Sequence, residues 1–137
     1  MFLGEFTHKV DSKNRIMVPS EFRENLKGDF YITKGPENSL IIYTEEEFAK
    51  QSQKLDERIN ESKKNRAIKR LFFSSTVKMS LDKQGRILLN KNLKDYSGIK
   101  GEAMIIGNNT TIELWDRERW QAYIDEVEVN LSDIMDE

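Results

Sequence analysis

An internal repeat limits what these 137 residues can fold into more than any other feature. Val10-Asp11-Ser12-Lys13-Asn14-Arg15-Ile16 aligns with Leu81-Asp82-Lys83-Gln84-Gly85-Arg86-Ile87 at an offset of 71 residues. Phe22 aligns with Leu93 at the same offset. Further on, Gly35 through Leu40-Ile41-Ile42-Tyr43 aligns with Gly107 through Ile112-Glu113-Leu114-Trp115, and Phe48 with Trp120, at an offset of 72. One inserted residue accounts for the change. Two copies are too few for a solenoid. They predict two half-folds, residues 1–71 and 72–137, packed as an internal pseudo-dimer in one compact unit.

Each copy has the same order of elements. A short strand (6–10 and 75–81) runs into Asp-x-x-x-Arg, and a second strand (15–18 and 86–89) leaves it. Asn14 and Gly85 share one slot in that turn, and they are the residue types that reach positive φ most cheaply. The pattern predicts a β-hairpin with a tight turn. Ser20 is then the expected N-cap of a short helix, with Asn90 as its counterpart. A second hairpin follows, Phe30–Ile32 with Leu40–Tyr43, and Ala103–Ile106 with Ile112–Trp115. Thr44 to Glu47 reads as a capping box for a helix with Phe48, Leu55 and Ile59 on one stripe. A polar break is expected at 60–65. A helix to about Phe72 follows, with Ile68, Leu71 and Phe72 inward. Asp116 caps a last helix to about Glu126, after which the chain is expected to fray. The expected class is mainly β with helices, α+β.

Charge is uneven. Residues 1–71 carry a net +2 and residues 72–137 a net −4. No Cys and a single His, His8, leave no thiolate site, no two-His metal site and no catalytic pair beyond what His8 could serve. No catalytic residue, metal site, cofactor, small-molecule substrate or membrane association is expected. Neither a leader peptide nor an apolar span is visible, which predicts a cytoplasmic protein.

Two readings of Asp-x-x-x-Arg are open on the residues alone. In one, Asp11 and Asp82 close their own turns and each Arg folds back on its Asp. In the other, the Asp residues remain structural while Arg15 and Arg86 face a ligand. A guanidinium fork suits a phosphate or the O6/N7 edge of guanine, and Lys13 and Lys83 on the same tips suit phosphates. The run Lys63, Lys64, Arg66, Lys69, Arg70 reads as a solvated helix face, a phosphate track or a partner for an acidic neighbour. The acidic end of the chain is one such neighbour.

Met1-Phe2-Leu3-Gly4-Glu5-Phe6 with His8, Val10 to Arg15 and Val18-Pro19-Ser20-Glu21-Phe22-Arg23 resembles the opening of the bacterial MraZ family. Phe72-Phe73-Ser74-Ser75 and Leu81 to Leu88 resemble its second half. The resemblance implies two AbrB-like swapped-hairpin halves forming a small β-barrel flanked by helices. It implies a transcriptional regulator of the division and cell-wall gene cluster, found at the nucleoid. It also implies a homo-oligomeric ring, octamer to dodecamer, on short G-rich direct repeats of double-stranded promoter DNA. Arg15 and Arg86 then read DNA with Lys13 and Lys83, supported by Asp11, Asn14, Asp82 and Gly85. Asn14 departs from the usual Gly of the family, and Leu89-Asn90-Lys91 from its frequent Ile-Pro. The rival reading is an antitoxin-like module that uses the same hairpins and clamps a protein with the acidic tail Asp125 to Glu137.

Overall fold

The computed structural model describes residues 1–58 and 60–136. Ile59 and Glu137, placed above on the apolar stripe and in the acidic tail, lie outside the described residues. The first half contains β1 (Glu5–Lys9), β2 (Arg15–Met17), α1 (Ser20–Arg23, tightening into a 3-10 turn over Glu24–Leu26), β3 (Asp29–Lys34), β4 (Leu40–Thr44) and α2 (Glu45–Asp56). α3 (Lys63–Ser75) carries the chain across. The second half repeats the order as β5 (Val77–Ser80), β6 (Arg86–Leu88), α4 (Lys91–Ser97), β7 (Glu102–Asn108), β8 (Thr111–Asp116) and α5 (Arg117–Val129), followed by α6 (Leu131–Met135). The class is α+β, as the repeat predicts.

The halves exchange strands. One antiparallel sheet runs β1-β7-β8-β4-β3-β5, and β2 pairs with β6 in a second, two-stranded sheet. The first strand of each half therefore lies against the third strand of the other: Phe6 opposite Ile105, and Met79 opposite Phe30. Ile16 pairs with Ile87, and Ile41 with Glu113. Both pairs join equivalent positions of the repeat, so a pseudo-two-fold axis passes through each. This narrows the expected first hairpin. Around the first turn, strand pairing stops at a single bridge, Val10 to Ile16, and beyond it β1 and β2 part into different sheets. An isolated two-stranded hairpin is marginal in water. The exchange instead buries Ile16 and Ile87 completely between the halves.

One core serves both halves. Phe22 and its counterpart Leu93 are both buried in it, and Phe22 takes Phe2 and Phe6 edge-on, with ring centroids 5.4 and 5.2 Å away. Two smaller clusters repeat the symmetry. Phe48 stacks on Tyr31 at 4.0 Å beneath α2, and Trp120 meets Trp115 at 5.3 Å beneath α5.

The caps form largely where expected. Thr44, Asn90 and Asp116 accept from the backbone N–H of Glu47, Leu93 and Arg119. Ser20 does not cap; it is the first residue of α1, and its hydroxyl donates to Glu21. Pro19, extended at ψ 141°, already sets the entry to that single turn. α3 runs on to Ser75, so β5 starts later than expected. Leu71, expected inside, is 51% exposed, and Phe73 is 38% exposed. Only the stripe through Ile68, Phe72 and Ser75 faces the body. The expected fraying is replaced by helix as far as Met135. No helix of the described residues is long and apolar enough to cross a membrane.

Candidate nucleic-acid interface

The two Asp-x-x-x-Arg turns have the same internal wiring. Asp11 Oδ1 accepts from the backbone N–H groups of Lys13 and Arg15, each at 2.9 Å. Asp82 Oδ1 accepts from those of Gln84 and Arg86, again at 2.9 Å. The other carboxylate oxygen takes the arginine Nε, at 2.7 Å from Arg15 and 2.8 Å from Arg86. Asn14 and Gly85 sit at φ 61° and 80°, the left-handed region that the turn requires. Each Asp is thus both turn closure and buttress. Holding an arginine through Nε leaves its two Nη groups to other partners, and that edge matches guanine O6/N7.

The tips form one head. Val18 N–H donates to Gly85 C=O and Leu89 N–H to Asn14 C=O, so each tip is bonded to the strand leaving the other. Arg86 Nη1 lies 3.8 Å from Asp11 Oδ2, and its Nη2 donates to Gln84. Arg15 differs: no bond holds its Nη groups among the described residues. Lys13 and Lys83 stand exposed on the same tips. His8 is half-buried on β1 opposite Ala103.

The hydrogen bonds fix the charge state of both buttresses. The N–H of Arg15, followed by its guanidinium, holds the Asp11 carboxyl below its ordinary 3.8. At Asp82 desolvation pushes upward, but the N–H and guanidinium of Arg86 outweigh it, and the carboxyl is again lowered. A lowered folded-state pKa contributes stability that is complete above the unfolded value and is lost as pH falls through the folded one. The turns are therefore expected to hold unchanged at neutral pH and to weaken only below the ordinary 3.8. Urea midpoints followed into acid should fall less steeply for Asp11→Asn/Asp82→Asn than for the native protein. Equal slopes would contradict this.

Two basic residues that the sequence reading passed over complete the head. Arg23 on α1 and Lys94 on α4 are equivalent at the 71-residue offset. Each crosses to the tip of the other half. Lys94 Nζ donates to Asn14 Oδ1, while Arg23 donates from Nε to Val18 C=O and lies across Gly85. A Cβ at position 85 would come within 2.7 Å of Arg23 Nε. This accounts for the unequal slot: Asn faces a Lys that can bond it, and Gly faces an Arg that fills its space. Gly85→Asn is expected to destabilise by about 1–3 kcal/mol, the scale of one strained site. Gly85→Asn/Arg23→Lys, which copies the first tip, should recover part of that loss in thermal melts. No recovery would contradict the pairing.

A family model described as "MraZ protein, putative antitoxin-like" matches residues 1–71 and again 72–137. A protein of Finegoldia magna named "Transcriptional regulator MraZ" is 39% identical over 136 residues, covering 99% of this chain and 95% of its own. Proteins of the same name in Clostridium tetani and Desulforamulus reducens are 47% and 40% identical, covering 91% and 98% of this chain and 88% and 94% of theirs.

Proposed function

This chain belongs to the MraZ family, and on that premise we propose that it is a sequence-specific, DNA-binding transcriptional regulator. Its target is the promoter of the division and cell-wall gene cluster, and it works in the cytoplasm at the nucleoid. The observation that carries the reading is the two-tipped head: two arginines, each buttressed by an Asp through Nε, in tips that are each bonded to the strand leaving the other.

Arg15 and Arg86 read guanine edges, and Lys13 and Lys83 take flanking phosphates. Asp11, Asn14, Asp82 and Gly85 hold the tips rigid. Residues 1–71 and 72–137 act as the two arms of one unit. The chain carries a net charge of −2, so a single copy binds a polyanion weakly at physiological salt. A ring of identical copies on G-rich direct repeats answers that weakness, because simultaneous engagement raises avidity by roughly 10²–10⁴ without any new type of contact. No catalytic step, metal, cofactor, membrane or small-molecule substrate belongs to this mechanism.

The test is a titration of the native protein and Lys13→Gln/Lys83→Gln against a fluorescent duplex from upstream of its own gene, over a range of salt. The variant should bind more weakly on every sequence. For each copy engaged, its log–log salt slope should be smaller by roughly two phosphates' worth, about 0.9 each. Binding without salt dependence, or a slope that both lysines leave unchanged, would refute the phosphate role.

A further inference from the structure

We infer that the outward face of α3 is the seat for the C-terminal helix of a second copy of this chain. The inference rests on the reading of the protein as a multi-copy DNA binder, and it supplies the joint between copies.

The seat is more than a solvated helix face. Arg66, Lys69, Arg70 and Phe73 follow the three-and-four spacing that places them on one side of α3. With Asn60 they line an open groove of about 360 Å³. Its apolar part is Phe73, 38% exposed and held edge-on against Phe48 and Phe72 at 6.4 and 5.1 Å. Lys69 is paired with Asp56, and Arg66 donates to the carbonyls of Asn60 and Glu61. Lys63, on the same side one turn earlier, and Arg70 meet no acidic partner among the described residues. The face is apolar at its centre and basic at its rim.

The occupant has the complementary character. After Arg119 the chain holds no basic residue, and Asp125, Glu126, Glu128, Asp133, Asp136 and Glu137 are acidic. Leu131, Ile134 and Met135, at i, i+3 and i+4 of α6, are 47%, 44% and 76% exposed. Five residues are far below the length at which a helix holds its own in water, so its stability has to come from packing. Among the described residues its hydrogen bonds run only into its own turns, and no hydrogen bond or ion pair links it to α3 of the same chain. An acidic helix with one apolar edge lying in a basic groove with an apolar centre is a helix-in-groove contact steered by charge. Because seat and occupant are different surfaces, the contact is head-to-tail, and such contacts propagate until they close into a ring.

The experiment measures mass in solution without DNA, by sedimentation velocity, for the native chain, Lys63→Glu/Arg70→Glu and Leu131→Asp/Ile134→Asp. All of these positions are exposed, and circular dichroism and melting curves verify the fold. The native chain is expected as a multimer, and each variant as a monomer of 16.1 kDa. An equal mixture of the two variants is expected to stop at dimers, since one intact seat and one intact tail remain. Variants that keep the native mass would overturn the inference and leave the multi-copy reading standing. A native monomer would overturn both. An α3 variant that keeps its mass but loses salt-dependent DNA binding would make the face a phosphate track. A tail variant of native mass that no longer holds a protein bound by the native chain would assign the tail to that partner.

Discussion

Arg15→Ala is expected to remove most of the preference for a G-rich repeat duplex over a shuffled one. Arg15 Nε is committed to Asp11, while no partner among the described residues engages its Nη edge. A bidentate contact to guanine is worth about 1–3 kcal/mol of discrimination, or about 5- to 150-fold for each copy bound. The loss compounds when several copies engage together. Arg86→Ala should cost less selectivity, because its Nη groups already meet Gln84 and Asp11. Its removal loosens the head and leaves Asp82 without its guanidinium. Arg15→Lys should separate charge from geometry, with affinity for shuffled DNA retained and preference for guanine lost. Fluorescence anisotropy on the two duplexes reads all three. An Arg15→Ala protein with the full native preference for the repeats would place the reading edge elsewhere.

Gly107→Val is expected to be the most destabilising single substitution outside the core. A Cβ at Gly107 would lie 2.4 Å from Leu3 N and 2.5 Å from Phe2 C, both backbone atoms that cannot turn aside. The N-terminal arm is bonded here, with Gly107 N–H donating to Gly4 C=O, and Phe2 and Asn109 exchanging N–H to C=O bonds at 2.7 and 2.9 Å. Displacing the arm withdraws Phe2, 3% exposed, from its edge-on contact with Phe22. The cost should approach that of Phe2→Ala, about 3–5 kcal/mol, a large share of the 5–15 kcal/mol that holds a typical domain together. The two changes remove one and the same contact, so Phe2→Ala/Gly107→Val should cost little more than either alone. Gly101→Ala, with open space around it, is the control. Urea midpoints no lower for Gly107→Val than for that control would contradict the account.

The repeat made much of this legible. Equivalent residues take equivalent places: Phe22 and Leu93 in the core, Asn14 and Gly85 at positive φ, Trp115 and Trp120 where the other half has Tyr43 and Phe48. Which strand pairs with which was not legible from the residues. Alternation tells a strand which face is buried but not whose edge it joins, so β1 appears to belong with β2 until β7 is seen beside it. For the same reason Arg23 and Lys94 read as ordinary helix charges. They matter only because the exchange brings each to the opposite tip. Leu71 reads as buried because apolar residues on a helix usually face the core. Here the core takes one narrow stripe, and the next apolar position is left in water.

The central claim is that Arg15 meets a guanine edge, and the most direct test is on the DNA. Replacing guanine by 7-deazaguanine in the repeats removes the N7 acceptor and leaves base pairing and charge intact. The native protein should lose affinity on the modified duplex, by no more than Arg15→Ala loses on the unmodified one because O6 remains, and Arg15→Ala, left with only the Arg86 contact, should lose markedly less on the replacement. Native binding that is unchanged by 7-deazaguanine would contradict the account.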